Sequence, residues 1–157
     1  MRMPQTAAMA GARTKPSTTS RCRQGWQIAQ EARHQLQNYN WSAALEACDR
    51  VLQDDPHHLG ALEVKAQALW FAGRYDAVVT VTTQLLRLNP SEPGYRYTRG
   101  MANLSRGKFE ESRRDFEYAI SQSDNESFRS QVREAMDSLT AWQLNRNGGC
   151  QTAVTVH

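Results

Sequence analysis

The sequence predicts an all-α fold made of three copies of one helical hairpin and closed by a seventh helix. When the chain is aligned with itself at an offset of 34 residues, small, apolar and turn-forming residues coincide in three copies. Each copy contains two apolar segments with helical spacing, separated by a turn that contains glycine or asparagine. A further apolar stripe with helical spacing follows the third copy.

Composition and charge limit the class of protein. The chain has 157 residues, of which 39% are hydrophobic and 22% charged, as expected for a folded chain with one core. No window approaches 18 consecutive apolar residues, so we expect no membrane span. Residues 1–24 hold five basic and no acidic residues, and the remainder is slightly acidic. We interpret residues 1–24 as the disordered basic tail of a cytoplasmic protein. The alternative is that these residues are an organelle transit peptide.

Cysteine and histidine usage gives no sign of a metal site. Cys22, Cys48 and Cys150 are widely spaced without a CxxC pair, so we expect free thiols in a reducing compartment, with Cys48 buried in the core. His57 and His58 are adjacent in a turn and have no further ligand spacing around them. The sequence also lacks a phosphate-binding glycine loop, a nucleophile elbow and an HExxH motif. We therefore expect no cofactor, no metal and no catalytic activity.

The self-alignment identifies the positions that repeat. Asp55-Pro56 coincides with Asn89-Pro90, and the turns fall at residues 38–40, 73–74 and 107–108. Small residues, aromatic residues and aliphatic residues each recur in register, at Ala32, Ala66 and Gly100, at Trp41, Tyr75 and Phe109, and at Leu52, Leu86 and Ile120. Each match is weak alone, and their common register makes the repeat a strong signal.

These residues resemble the tetratricopeptide repeat family, in which each repeat is a helix, a tight turn and a second helix. The resemblance implies a right-handed α-α superhelix over residues 25–124, with its second and third copies closest to the family pattern. The implied division is three repeats (25–58, 59–92 and 93–124), a capping helix (125–145), and disordered tails at residues 1–24 and 146–157.

The run from Val78 to Thr83 tests this interpretation, because its β-branched residues favour a strand locally. We predict a helix, since Val78, Val79, Thr82, Leu85 and Leu86 recur at spacings of three and four. The propensity penalty for the run is about 2 kcal/mol, which tertiary packing can offset. This second helix of the second copy is expected to depend most on its neighbours.

Two sets of residues are expected to control packing. Ala32, Ala66 and Gly100 allow the second helix of each repeat to approach the first, whereas Arg96 and Asn103 depart from the family pattern. The seventh helix is expected to cover the third repeat, with Asp124 or Asn125 as its cap and residues 147–149 as its end, although it could instead bind a partner. Its predicted packed face consists of Phe128, Val132, Ala135, Met136, Leu139 and Trp142.

The resemblance implies that the first helices of the repeats line a concave groove that binds a peptide or a helix of a partner protein. The expected function is a protein-interaction module of the adaptor, scaffold or co-chaperone type. Trp70 and Phe71 are adjacent, so at least one is expected to face the groove, unless both pack in the core. The candidate groove residues are Gln30, Arg33, Gln37, Glu63, Gln67, Phe71, Tyr97, Thr98 and Met101, with Ala29, Val64 and Ser105 beside them.

Members of the family that hold the acidic carboxyl-terminal tails of heat-shock chaperones use a clamp of Lys, Arg and Asn. The matching positions here hold Ala29, Arg33, Val64, Gly94 and Thr98, of which Arg33 alone is cationic. We therefore do not expect a chaperone carboxylate tail as the partner. Small bacterial secretion chaperones with three such repeats are similar in size, but no motif beyond the repeats matches.

Two other functions remain open. The basic tail could bind nucleic acid or an acidic surface in a salt-sensitive manner, although the body of the chain has no basic stripe with interleaved aromatics. Alternatively, the repeats could self-associate, since Trp26 lies near an amino-terminal end that lacks an obvious cap helix.

Overall fold

Each copy of the repeat forms a pair of α-helices joined by a short turn. The computed structural model describes residues 18–148, and every regular element in this range is an α-helix. Successive helices pack on each other, α1 also contacts α3, and α5 contacts α7. This arrangement is the predicted all-α repeat solenoid. Its helices are α1 (Thr18–Gln37), α2 (Trp41–Asp54), α3 (Leu59–Phe71), α4 (Tyr75–Leu88), α5 (Pro93–Ser105), α6 (Phe109–Gln122) and α7 (Glu126–Gly148).

The β-branched run lies within α4, so the helical prediction is confirmed. Threonine hydroxyls help to accommodate the run, because Thr82 Oγ1 donates to the Val78 carbonyl at 2.7 Å and Thr83 Oγ1 donates to the Val79 carbonyl at 2.7 Å. Each hydroxyl thus finds a carbonyl partner one helical turn back, and Thr82 Oγ1 also lies 3.2 Å from the Val79 carbonyl oxygen. The buried face differs slightly from the expected one, since Val79 is half-buried and the buried residues are Val78, Val81, Thr82, Leu85 and Leu86.

The three intra-repeat turns share one geometry with different residues. Gly73 and Gly107 have φ angles of 70° and 72°, and Tyr39 at the equivalent position has a φ of 60°. Each turn is closed by a backbone hydrogen bond that spans five residues, from Asn40 N to Gln35 O, Arg74 N to Leu69 O and Lys108 N to Asn103 O. The left-handed conformation suits glycine and costs a residue such as tyrosine about 1–2 kcal/mol.

Small residues set the distance between α5 and α6. A Cβ atom on Gly100 would lie 2.7 Å from Cε1 of the fully buried Phe116 and 3.3 Å from Cβ of Asp115. Ala32 and Ala66 are also buried. The expectation that a small residue permits close helix approach is confirmed at Gly100.

Cys48 is buried in the core formed by α1, α2 and α3, as predicted. Burial, reinforced by the charge of Asp49, raises the pKa of the Cys48 thiol to about 11. The thiol is therefore protonated and unreactive at neutral pH. The side chains of Cys22 and Cys150 lie outside the part of the chain that the structure describes.

His58 has a structural role, because its Nδ1 accepts a hydrogen bond from the Ala61 amide at the start of α3.

Helix α1 begins at Thr18, within the segment that was expected to be a disordered tail. The reason is local, since no proline or glycine interrupts residues 17–24, and threonine, arginine and glutamine are compatible with a helix. Residues 1–17 and 149–157, where the remaining tail predictions fall, lie outside the described residues.

Helix α7 covers the third repeat. Its first turn is capped by Asn125, whose Oδ1 accepts a hydrogen bond from the Phe128 amide at 3.2 Å, and Val132, Ala135 and Leu139 are buried. The prediction for Trp142 is wrong, because its side chain is 63% exposed. The packed stripe moves instead to Gln143, which accepts a hydrogen bond from Arg113 Nη2 of α6 at 2.9 Å. The helix continues to Gly148, past the expected capping segment (125–145) but within the predicted end at residues 147–149.

Candidate functional site

An apolar groove of about 390 Å³ lies between α3 and α5, the first helices of the second and third repeats. Five of the nine candidate groove residues meet there: Gln67, Phe71, Tyr97, Thr98 and Met101. Ala66 and Trp70 complete the lining. Spacings of three and four residues place the members of each helix on one face, which explains how sequence register identified them. We call these seven residues the α3–α5 groove.

The adjacent residues Trp70 and Phe71 of α3 point in different directions, as expected for neighbours on a helix. Phe71 is 58% exposed, and its ring stacks on Trp41 with centroids 5.8 Å apart and planes at 17°. Trp70 is half-buried against Tyr75, with an edge-to-face arrangement and centroids 5.1 Å apart. The alternative in which both rings belong to the core is therefore wrong for Phe71. Stacking on Trp41 holds Phe71 in place while leaving one face open.

Tyr97 joins the groove to the capping helix. Its ring lies 5.9 Å from Phe116 of α6 and 5.8 Å from Phe128 of α7, measured between centroids. Its hydroxyl accepts a long hydrogen bond from Gln131 Nε2 at 3.4 Å. Because three helices fix this ring, the floor of the groove is preformed and α7 contributes to its position.

The polar groups of the groove differ in availability. Thr98 Oγ1 donates to the Gly94 carbonyl at 2.9 Å, so its donor is already used. Gln67 is exposed, and the described residues offer its amide no hydrogen bond. A carboxamide presents both donors and an acceptor, which matches the alternating groups of a peptide backbone. Gln67 is thus the best placed of the lining residues to bind a main chain.

Glu63 lies one turn before Gln67 and has a structural partner. Tyr95 Oη donates to Glu63 Oε1 at 2.6 Å, which ties α3 to α5. Burial, together with this hydrogen bond, raises the pKa of Tyr95 far above its ordinary value. The Glu63 carboxylate is therefore committed to holding the two helices together.

The candidates on α1 are not part of the α3–α5 groove. Gln30, Arg33 and Gln37 are exposed on α1, outside the lining residues. The neighbouring positions Ala29 and Val64 are 7% and 0% exposed, so their assignment to an open surface is wrong. Val64 packs with residues of α1 and α2 because α3 inserts between the first hairpin and the rest of the solenoid.

The sequence did not reveal that Trp41 supports the groove residue Phe71. It was identified only as one of three equivalent aromatics, with Tyr75 and Phe109. A signal was available, since Trp41 begins α2 directly after the first turn and an exposed ring such as Phe71 requires an apolar support. The repeat register alone does not reveal the contact between Trp41 and Phe71, because these two residues occupy different positions of the repeat.

Comparisons with known proteins agree with the repeat geometry. The tetratricopeptide repeat profile matches residues 35–102. A search of curated protein sequences gives no significant match. Within residues 18–148, no helix combines the length and apolar content needed to cross a bilayer.

Two solved structures with bound peptides illustrate the similarity. The Yersinia enterocolitica type III secretion chaperone SycD, in complex with a peptide of the translocator YopD, is 14% identical with a TM-score of 0.70, over 75% of this chain and 93% of that one. The first tetratricopeptide domain of Spaghetti (RPAP3), bound to the HSP90 peptide SRMEEVD, is 14% identical with a TM-score of 0.68, over 77% and 96%.

An enzyme also contains this fold. A Thermobaculum terrenum O-GlcNAc transferase is 20% identical with a TM-score of 0.68 over 78% of this chain, but this chain matches only 23% of that protein. Similarities at these identities establish the fold. The profile match identifies tetratricopeptide repeat sequence within residues 35–102, and the three helical hairpins share the fold of these solved structures.

Proposed function

We propose that the chain is a non-catalytic protein-interaction module, of the adaptor, scaffold or co-chaperone type, which binds a peptide or a helix of a partner in the α3–α5 groove. The observation that supports this proposal is the combination of an exposed aromatic anchor, Phe71, with an unpaired amide, Gln67, beside an apolar floor. Apolar anchors supply affinity in such sites, and a few polar groups fix the orientation of the ligand.

The solved relatives support a peptide ligand in general terms. In their solved structures, SycD is in complex with a YopD peptide and the RPAP3 domain is bound to an HSP90 peptide. The identity of the partner here is a separate question. A chaperone carboxylate tail still lacks support, because Arg33 is the single cation among the positions that match the clamp. The cytoplasmic location expected from the sequence likewise stays a prediction.

Site-specific photocrosslinking tests the proposal. A photoreactive phenylalanine analogue replaces Gln67 in the groove or, as a control, the exposed Gln53 on α2. We expect discrete partner adducts from position 67 and none from position 53. The variant pair Phe71→Ser and Met101→Lys is expected to reduce these adducts by about tenfold, whereas Trp142→Ser, which removes an equally exposed ring elsewhere, leaves them unchanged. Equal adducts from both positions would show that the groove does not bind the partner.

Self-association is a second candidate because Trp26 on α1 is 60% exposed. If Trp26 anchors a dimer, the mass from light scattering rises with concentration for the natural chain and remains that of a monomer for Trp26→Ser. The same substitution would leave crosslinking from position 67 intact, which separates the two functions. The tail-dependent nucleic-acid alternative gains no support from the structure, as most of that tail lies outside the described residues.

A further inference from the structure

A second cavity lies on the side of α5 opposite the groove. Its volume is about 450 Å³, and residues of α4, α5, α6 and the turn between α5 and α6 line it. On α5, Arg96, Arg99 and Asn103 recur at spacings of three and four, about half a helical turn away from Tyr97 and Met101. The two cavities are thus separate surfaces, and an inference about the second does not depend on the function of the first.

The lining of this second cavity is dominated by cations. It holds five cationic side chains and two carboxylates, Glu111 and Asp115. The chain beyond residue 24 is slightly acidic as a whole, so the local excess of positive charge is not a reflection of composition. We call this set the cationic pocket: Arg96, Arg99, Arg106, Lys108 and Arg114.

Two of the five cations are neutralised. Arg99 binds the buried Asp115 through both ends of its guanidinium, with Nε 2.8 Å from Oδ2 and Nη2 2.7 Å from Oδ1. Arg106 Nε lies 2.5 Å from Oδ1 of Asp76, and Arg106 Nη1 donates to Asn103 Oδ1 at 2.9 Å. These pairs form a fixed floor, because each guanidinium is held by two contacts.

Two of the remaining cations form no ion pair, and the third, Arg96, forms only a long one. Lys108 and Arg114 form no ion pair with the residues that the structure describes, and neither does Glu111, the second carboxylate of the lining. Arg96 is held over the Tyr118 ring at 4.2 Å and reaches Asp115 only at 3.5 Å, since Arg99 occupies both carboxylate oxygens. Its Nε is buried without a hydrogen-bond partner among the described residues. An unsatisfied buried donor of a charged group costs free energy unless a ligand or water binds it.

We propose that the cationic pocket binds an acidic peptide segment of a partner protein. Carboxylates of that segment would pair with Lys108, Arg114 and Arg96, which belong to two helices and the turn between them. A cavity of about 450 Å³ exceeds the size of a single oxyanion. Separate single charges match carboxylates spread along a chain, and Glu111 at the lining disfavours a concentrated dianion such as a phosphate group.

The test measures binding of a fluorescein-labelled hexaglutamate peptide to the full chain by anisotropy. The pocket variant combines Lys108→Gln with Arg114→Gln, and the charge-matched control combines Arg23→Gln with Arg50→Gln, two exposed sites on α1 and α2. We expect the pocket variant to weaken binding by about tenfold and the control by less than about twofold. Helical circular dichroism and the melting temperature of each variant establish that it is folded.

Three outcomes would overturn the assignment. The first is equal weakening in the pocket variant and the control, which indicates diffuse electrostatic attraction. The second is equal binding of a hexaglutamine peptide, which removes the role of charge. The third is a matched phosphoserine peptide that binds more tightly than hexaglutamate and depends on the same two residues, which would make the pocket a phosphate site. Deletion of residues 1–17 is expected to leave the pocket-dependent part of binding unchanged.

Discussion

The two sides of α5 carry opposite chemistry on one short helix. Towards the groove, Tyr97 and Met101 are apolar and pack against α6 and α7 or face the cavity. On the other side, Arg96 and Arg99 are charged and share the buried carboxylate of Asp115. The small Gly100 on this helix is closely approached by α6. Because the spacing between α5 and α6 depends on this small residue, the side chains on the two exposed sides of α5 can differ in chemistry without changing the packing.

The largest effect is expected from Asp115→Asn on the charged side. This change removes the counter-charge of Arg99, whose side chain is 21% exposed, and leaves the guanidinium without its bidentate partner. We expect the free energy of unfolding, measured by urea titration, to fall by about 3 kcal/mol. The exposed Asp137→Asn on α7 serves as control and is expected to change it by less than about 0.5 kcal/mol. A loss below about 1 kcal/mol for Asp115→Asn would mean that the ion pair contributes little to stability.

An intermediate effect is expected from Gly100→Ala, between the two sides. Alanine favours a helix by about 1 kcal/mol over glycine, but its Cβ would lie 2.7 Å from the buried Phe116 ring. Overpacking is expected to win, with a net loss of about 1–2 kcal/mol in the same titration. Gly60→Ala in α3 is the matched control, because the nearest atom there is His58 Cε1 at 3.4 Å. We expect that variant to be neutral or more stable; equal losses would exclude the steric explanation.

A smaller effect is expected from Tyr95→Phe on the groove side. The change removes the 2.6 Å hydrogen bond to Glu63, which we expect to cost about 1 kcal/mol at neutral pH. Because the pKa of Tyr95 is raised in the folded chain, the folded state retains the phenol proton at pH values where the unfolded state has lost it. The stability of the natural chain therefore falls as pH rises above about 10, and this component is absent in Tyr95→Phe.

Unfolding measurements on both proteins across alkaline pH check this difference. Tyr118→Phe is an informative comparison, since Tyr118 stacks under Arg96 and the structure assigns its hydroxyl no hydrogen bond among the described residues. An unchanged alkaline slope in Tyr95→Phe would contradict the proposed link between α3 and α5.

The fold could be predicted from the sequence because its main determinants recur at a fixed interval. The 34-residue register located the turns and the small positions, and it overrode the strand propensity of the run in α4. It also brought together Gln67, Phe71, Tyr97, Thr98 and Met101, since residues one turn apart on neighbouring first helices share a surface. Helix-end details, such as Trp142, depended on the rotation of α7 and were not predictable from spacing alone.

The buried charge of the third repeat was missed for a different reason. Asp115 was not singled out in the sequence, although the structure buries its carboxylate. The 34-residue register could have indicated this burial, because the residues equivalent to Asp115 in the other two copies are the buried Ala47 and Val81. A carboxylate at an apolar position of a repeat requires a partner, and Arg99 and Arg96 lie on the helix that packs against it. Periodicity thus predicts that position 115 is buried, and the charge of Asp115 predicts that a cation pairs with it.

The left-handed backbone of Tyr39 is expected to make the first hairpin less stable than the other two. The first hairpin bends through a side-chain-bearing residue where the other two use glycine, and within the described residues no helix precedes α1 to cover it. We expect thermal opening to begin at this end and the third repeat, sealed by α7, to open last. A partner seated between α3 and α5 would then bind next to the more durable half, so its release would not follow from early fraying of the first hairpin.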